Sequence, residues 1–191
     1  MRRVDIAVLV FFAIGQPGCR CRSGEPAPPP LPHFHGWARL VDKAALGEIE
    51  DAAPIARDLT EGRQGTVEGP AAAAGSGKVG AALGFMGFAE DTEELADAVA
   101  SAARGCGMCH AATDAVPPAR PPWSHLSGAS WVVDGLVWSR TEPPPAGGEP
   151  PLDALAEAWT RPVTSDAQLT SEEEVRAARV VAVCAACHIA L

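Results

Sequence analysis

Residues 91–112 read DTEELADAVASAARGCGMCHAA. Leu95, Val99, Ala102, Ala103, Cys106, Cys109 and His110 fall at i, i+4, i+7, i+8, i+11, i+14 and i+15, one face of a 3.6-residue helix. Asp91 followed by Glu94 gives a capping-box start. The same pattern recurs at the end of the chain. Ala177, Val180, Val181, Cys184, Cys187 and His188 share a face, Ser171 and Glu174 supply the start signal, and Thr92 and Thr170 are equivalent. A pattern that recurs at this period predicts a helical repeat.

Upstream, His33-Phe-His-Gly36 through Asp42 aligns with His125-Leu-Ser-Gly128 through Asp134. His33, Trp37, Leu40, Val41 and Ala44 share one helical face, and His125, Ala129, Val132, Val133 and Leu136 share its counterpart. The expected fold class is all-α: two tandem small helical-bundle modules, each ending in a helix that carries Cys-x-x-Cys-His. Module 1, residues 33–112, parses into helices at about 33–49, 50–62, 78–90 and 91–112, with a Gly/Ala-rich interruption at 63–77. Residues 113–122 form a linker. Module 2, residues 123–191, parses into helices at about 125–141, 151–160 and 170–189. In module 1 an up-and-down order places the start of the first helix and the end of the fourth at one end. Module 2 needs its connection at 161–169 to run back along the bundle. Gly80, Gly84 and Gly87 form a bare stripe that admits either a flat group or a close helix.

The pentapeptides Cys106-Gly-Met-Cys109-His110 and Cys184-Ala-Ala-Cys187-His188 have the spacing of c-type haem attachment. Thiols at i and i+3 on a helix project to one side and can add across two vinyl groups on one porphyrin edge. The histidine at i+4 then lies under the ring as an iron ligand. Two alternatives compete. A four-thiolate zinc site needs both cysteine pairs to converge and does not need the histidines. A redox or disulfide CxxC expects a βαβ context, which the pattern lacks. His33 and His125, matched at the heads of the repeats, are candidate second axial ligands for the irons on His110 and His188. His35 and Met86 compete with His33; Met108 is badly placed, and a Met on an apolar face is more often core.

The N-terminal stretch MRRVDIAVLVFFAI has a basic flank and an apolar run too short to span a bilayer. Residues 1–18 are expected to be an export signal, and residues 19–32 a Pro-rich tether. Two processing readings stay open: lipidation of Cys19 after Gly18, or cleavage after Gly15. The expected location is exported and periplasmic, with any membrane attachment through the Cys19 lipid. Of 191 residues, 24 are acidic and 15 are Lys or Arg, a net charge of −9. That balance argues against nucleic-acid binding and favours a partner with a basic patch.

A CxxCH near the C-terminus of each helical repeat resembles the class II, cytochrome c′-like kind of c-type cytochrome. The resemblance implies helical bundles with covalent haem at the end of the last helix. It covers residues 33–191 loosely, whereas the pentapeptides themselves are specific. The functional expectation is a dihaem electron carrier rather than an enzyme, with two covalently bound haem c groups. The alternatives are a five-coordinate gas-binding or sensor protein and a structural zinc protein.

Overall fold

In the computed structural model, the described residues are 32–61, 69–113, 115, 117, 127–145, 150–163 and 171–190. Among them the chain forms seven α-helices and no strands: α1 Pro32–Leu46, α2 Ile49–Glu61, α3 Pro70–Met86, α4 Thr92–Ala112, α5 Gly128–Val137, α6 Pro150–Thr160 and α7 Glu172–Ile189. The all-α bundle expected from the periodicity is what forms.

The capping signals act where they were expected. The Asp91 carboxylate accepts the N–H groups of Glu93 and Glu94, each at 2.9 Å. Glu94 accepts from the Glu90 N–H at 2.8 Å, one residue before the position that the box pattern implies. Ser171 Oγ accepts from the Glu174 N–H at 3.3 Å. The Glu174 carboxylate does not reach back to its cap. It is buried and pairs with Lys78 of α3 at 3.0 Å, tying α7 to α3.

The faces read from the sequence are the buried ones. Leu40, Val41 and Ala44 of α1, Leu95, Val99, Ala102 and Ala103 of α4, Val132, Val133 and Leu136 of α5, and Ala177, Val180 and Val181 of α7 are all buried. They belong to a single apolar cluster. Helices of both sequence repeats share that core, and α4 packs on α5 and α7 as well as on α3. Small side chains explain the sharing. A face of alanines and valines buries little area alone, and a partner helix adds the missing contact.

Several boundaries differ from the pattern-based reading: α1 ends at Leu46 rather than near residue 49, and α3 at Met86 rather than near residue 90. α3 starts at Pro70, inside the stretch read as an interruption, because proline at the first helical position lacks only an N–H that has no acceptor there. α5 stops at Val137 rather than near residue 141. Ser139 is left-handed, with φ 52°. The Arg140 N–H donates to Gly135 O at 2.9 Å and the Ser139 N–H to Leu136 O at 3.4 Å. This is a Schellman stop without the glycine that usually announces it. Most of the connection between α6 and α7, residues 164–170, lies outside the described residues. Arg179 donates to the carbonyls of Arg161, at 2.8 Å, and Pro162, at 3.3 Å, so α6 ends beside the first turns of α7.

Gly47 forms the α1–α2 turn with φ 73°. A Cβ there would lie 3.5 Å from Thr92 Cγ2 and 2.6 Å from Ile189 Cδ1. The end of α1, the start of α4 and the end of α7 therefore meet. The start of α1 and the end of α4 lie toward the opposite end, as an alternating bundle requires.

In the glycine stripe, Gly84 and Gly87 make no close helix contact. Around Gly84 a Cβ would meet nothing within 4 Å, and Gly87 would touch only the Gly84 carbonyl. The close approach is made elsewhere: a Cβ on Gly75 would sit 2.6 Å from Gly105 O, and one on Gly105 2.8 Å from Gly75 O. Because Gly84 is an exposed helical glycine with open space, Gly84→Ala should stabilise the fold by about 0.5–1 kcal/mol, read as a higher urea midpoint.

Candidate functional site

The last turns of α4 carry the first pentapeptide. Cys106 and His110 are half-buried, and Cys109 is only 6% exposed, facing α3. The His110 ring stacks on Trp138, with centroids 4.3 Å apart and planes at 29°. Beside them lies a cleft of about 320 Å³ lined by Gly107, His110, Ala111, Val137, Trp138 and residues of the following loop. Gly107, inside the pentapeptide, lets α5 approach: its Cβ would lie 2.3 Å from Leu136 O.

The sequence reading missed Trp138. Its position depends on the stop that ends α5. Trp138 is the C-cap, its N–H donating to Asp134 O at 3.0 Å, and Arg140 pairs with Asp134 at 2.7 Å beneath it. The Asp134–Arg140 spacing is the signal that could have revealed the stop. The Trp138 Nε1–H is buried and meets no acceptor among the described residues.

α7 carries the second pentapeptide at its C-terminal end. Cys184 is half-buried against the start of α5, and its sulfur accepts a hydrogen bond from the Ala129 backbone N–H. Burial, reinforced by the nearby Cys187, pushes the Cys184 thiol up to about 11 despite that hydrogen bond. Cys187 and His188 are exposed. One site is thus enclosed and the other lies at the surface.

α5 links the two. Ala129, near its start, touches Cys184, and Leu136, near its end, touches Gly107. Seven residues of helix, about 10 Å, separate these contacts. The two cysteine pairs therefore do not converge. Among the described residues, no group of three or more His, Cys, Asp and Glu side chains gathers where it could hold a metal ion. That is the arrangement a four-thiolate zinc site would have needed.

The candidate distal ligands are placed unequally. His33 lies in the first turn of α1, toward the end of the bundle that carries His110; its side chain, like residues His125 and Cys19, lies outside the described ones. His35 is exposed. Met86 is fully buried in the core at the end of α3, toward the start of α4 and far from His110. No described helix is long and apolar enough to cross a membrane.

Beside α4 and α7, burial and the carboxylates of Glu93, Glu174 and Asp91 push the Asp97 carboxyl above its ordinary value. Its ionisation therefore opposes folding. The contribution is favourable below the ordinary Asp range and is lost as pH rises through the shifted value. Asp97→Asn should raise stability at pH 7 and leave it unchanged near pH 3, in paired thermal melts.

Both motifs supply the donor types that covalent haem uses, paired thiols and a histidine; at the first, Cys109 is buried against α3 and the described lining of the cleft beside His110 includes neither cysteine. Comparison with protein-family models, curated proteins and solved structures finds no match for this chain.

Proposed function

We propose that this protein is a dihaem c-type cytochrome that transfers electrons one at a time. The observation that carries the reading is the pair of Cys-x-x-Cys-His motifs, each at the end of a helix and joined through α5. Cys106 and Cys109 would hold one haem and His110 would ligate its iron; Cys184, Cys187 and His188 would do the same for the other. Each thiol would add across a vinyl group, forming an S–C bond with its hydrogen passing to the neighbouring carbon. Bound haem supplies a one-electron iron couple, at lower potential with two histidine ligands than with His/Met.

The chain's own residues do the rest. Cys109 is 6% exposed where α4 meets α3, so haem attachment there would need α3 and α4 to be apart. Trp138 holds the His110 ring in one orientation by stacking, which limits reorganisation when the iron changes charge. His33 is the candidate sixth ligand for the first site, supported by the direction of α1 relative to α4. His125 is the candidate for the second: it precedes α5 by three residues, and α5 begins beside Cys184. Export, and lipidation at Cys19, belong to the same proposal, because covalent haem and an acidic surface suit an extracytoplasmic carrier with a basic partner.

The test is absorption spectroscopy on the full chain made in a host with c-haem maturation, oxidised, reduced with dithionite, then exposed to CO. Sharp α and β bands, two haems per chain and an unshifted Soret band under CO are expected. A CO-induced Soret shift would replace electron transfer with gas binding. A chain that matures without any covalent haem would end the cytochrome reading.

A further inference from the structure

We infer that the turn between α3 and α4 is the docking surface for a basic redox partner, placing electron exchange at the Cys184/Cys187/His188 end of the molecule. The inference deepens the electron-carrier reading and rests on it.

Two large aromatic side chains stand out of this turn: Phe85 is 70% exposed and Phe88 82%. Their neighbours are acidic. Glu90, Asp91, Glu93 and Glu94 follow within six residues, and Asp97 one turn further on. Behind the phenylalanines a groove of about 770 Å³ runs between α3, α4 and the start of α7, lined by Glu94, Asp97 and Glu174. The one cation lining it among the described residues is Lys78, which is engaged by Glu174. An exposed aromatic pair ringed by carboxylates matches a protein patch of the opposite make-up, an apolar centre with a lysine and arginine rim. The groove has room for a long basic side chain. A bilayer is the poorer occupant, since an acidic rim is repelled by anionic lipid. Burial first, and then the carboxylates of Glu93, Glu174 and Asp91, push the Asp97 carboxyl up, and a cationic surface would offset the like-charge part.

The position of the turn sets the consequence. It leads into α4 at Thr92, which meets the α1–α2 turn and Ile189 beside the second pentapeptide. Cys187 and His188 are exposed there, whereas Cys109 and His110 lie toward the other end under α3 and α5. Phe88, four residues before Thr92, is the part of the patch nearest the surface-exposed motif, whereas the groove at Glu174 lies about 20 Å back along α7. One electron then leaves the reduced carrier and enters the oxidised partner.

The experiment uses the haem-loaded full chain, reduced and freed of excess reductant, mixed in a stopped-flow instrument with an oxidised, basic monohaem cytochrome c. Two patch variants, Phe85→Ala/Phe88→Ala and Glu90→Gln/Glu93→Gln, are compared with Asp58→Asn/Glu61→Gln. The last pair removes the same charge from the exposed end of α2, beside the start of α1. At low salt each patch variant should lower the second-order rate constant at least tenfold, and the α2 variant less than twofold. Unchanged spectra and haem content check that each variant folds. Equal losses in the patch and α2 variants, or no loss in the patch variants, would overturn the docking surface while leaving the electron carrier intact. Binding to zwitterionic vesicles that Phe85→Ala/Phe88→Ala abolishes, with electron-transfer rates unaltered, would overturn it in favour of a membrane. Protein without a Soret band would remove the underlying reading, and that result is visible before any mixing.

Discussion

Gly107→Ala should destabilise the protein by about 1–3 kcal/mol, although helix propensity alone predicts the opposite sign. Alanine in place of a helical glycine is ordinarily favourable by about 1 kcal/mol. At Gly107, however, the added Cβ would sit 2.3 Å from the Leu136 carbonyl oxygen and 3.3 Å from that of Val137. Both atoms are backbone and cannot rotate away. Ordinary contact requires α5 to move outward by about an ångström, which loosens a core of small side chains that has little area to lose. The contact also sets where Trp138 sits, so the His110–Trp138 stack should open as well. Urea denaturation reads the first effect and near-ultraviolet circular dichroism the second. Gly107→Ala with wild-type stability would mean that α5 does not pack here, and the link between the two motifs would go with it. Gly84→Ala, the same substitution on an exposed face, is the internal control with the opposite sign.

That contrast shows what can be read from the sequence. One buried stripe on each of α1, α4, α5 and α7 follows from the 3.6-residue period, a local consequence of helix geometry, while α4 is buried beyond its stripe at Ala96, Ala100 and Gly107 as well. The start signals at Asp91 and Ser171 are local too. Which glycines allow two helices to touch is not local. Gly84 and Gly87 belong to the tidier stripe, yet Gly75, Gly105 and Gly107 make close contacts, since contact depends on which faces the core turns toward each other. Trp138 was hidden for a related reason. A left-handed serine ends α5, and serine carries no such signal in a sequence. The pentapeptides stand out in the sequence because both have the same Cys-x-x-Cys-His spacing. Their unequal exposure does not, because it depends on α5 bridging two segments that lie far apart in the chain.

Removing either cysteine pair should halve the haem bound per chain, and the two losses should differ in their structural cost. Cys106→Ser/Cys109→Ser leaves α7 intact and should retain the haem at Cys184 and Cys187; Cys184→Ser/Cys187→Ser should retain the other. The quadruple variant should carry none, as measured by haem absorbance per protein after denaturation, which removes everything not held by thioether bonds. The first pair should cost more stability. Cys109 is 6% exposed and lies against α3, so a serine hydroxyl there is buried, at roughly 1–3 kcal/mol if it finds no partner. The site also loses a cofactor that would add apolar bulk to a thin core. The second pair should cost less, because Cys187 and His188 are exposed and only Cys184 touches α5. A larger drop in melting temperature for the first double variant than for the second is therefore the expected order. Full haem retention by either double variant would show that its cysteines are not the attachment points. A fall to zero in both would show that the motifs act jointly on one bound group, a geometry that the separation along α5 opposes.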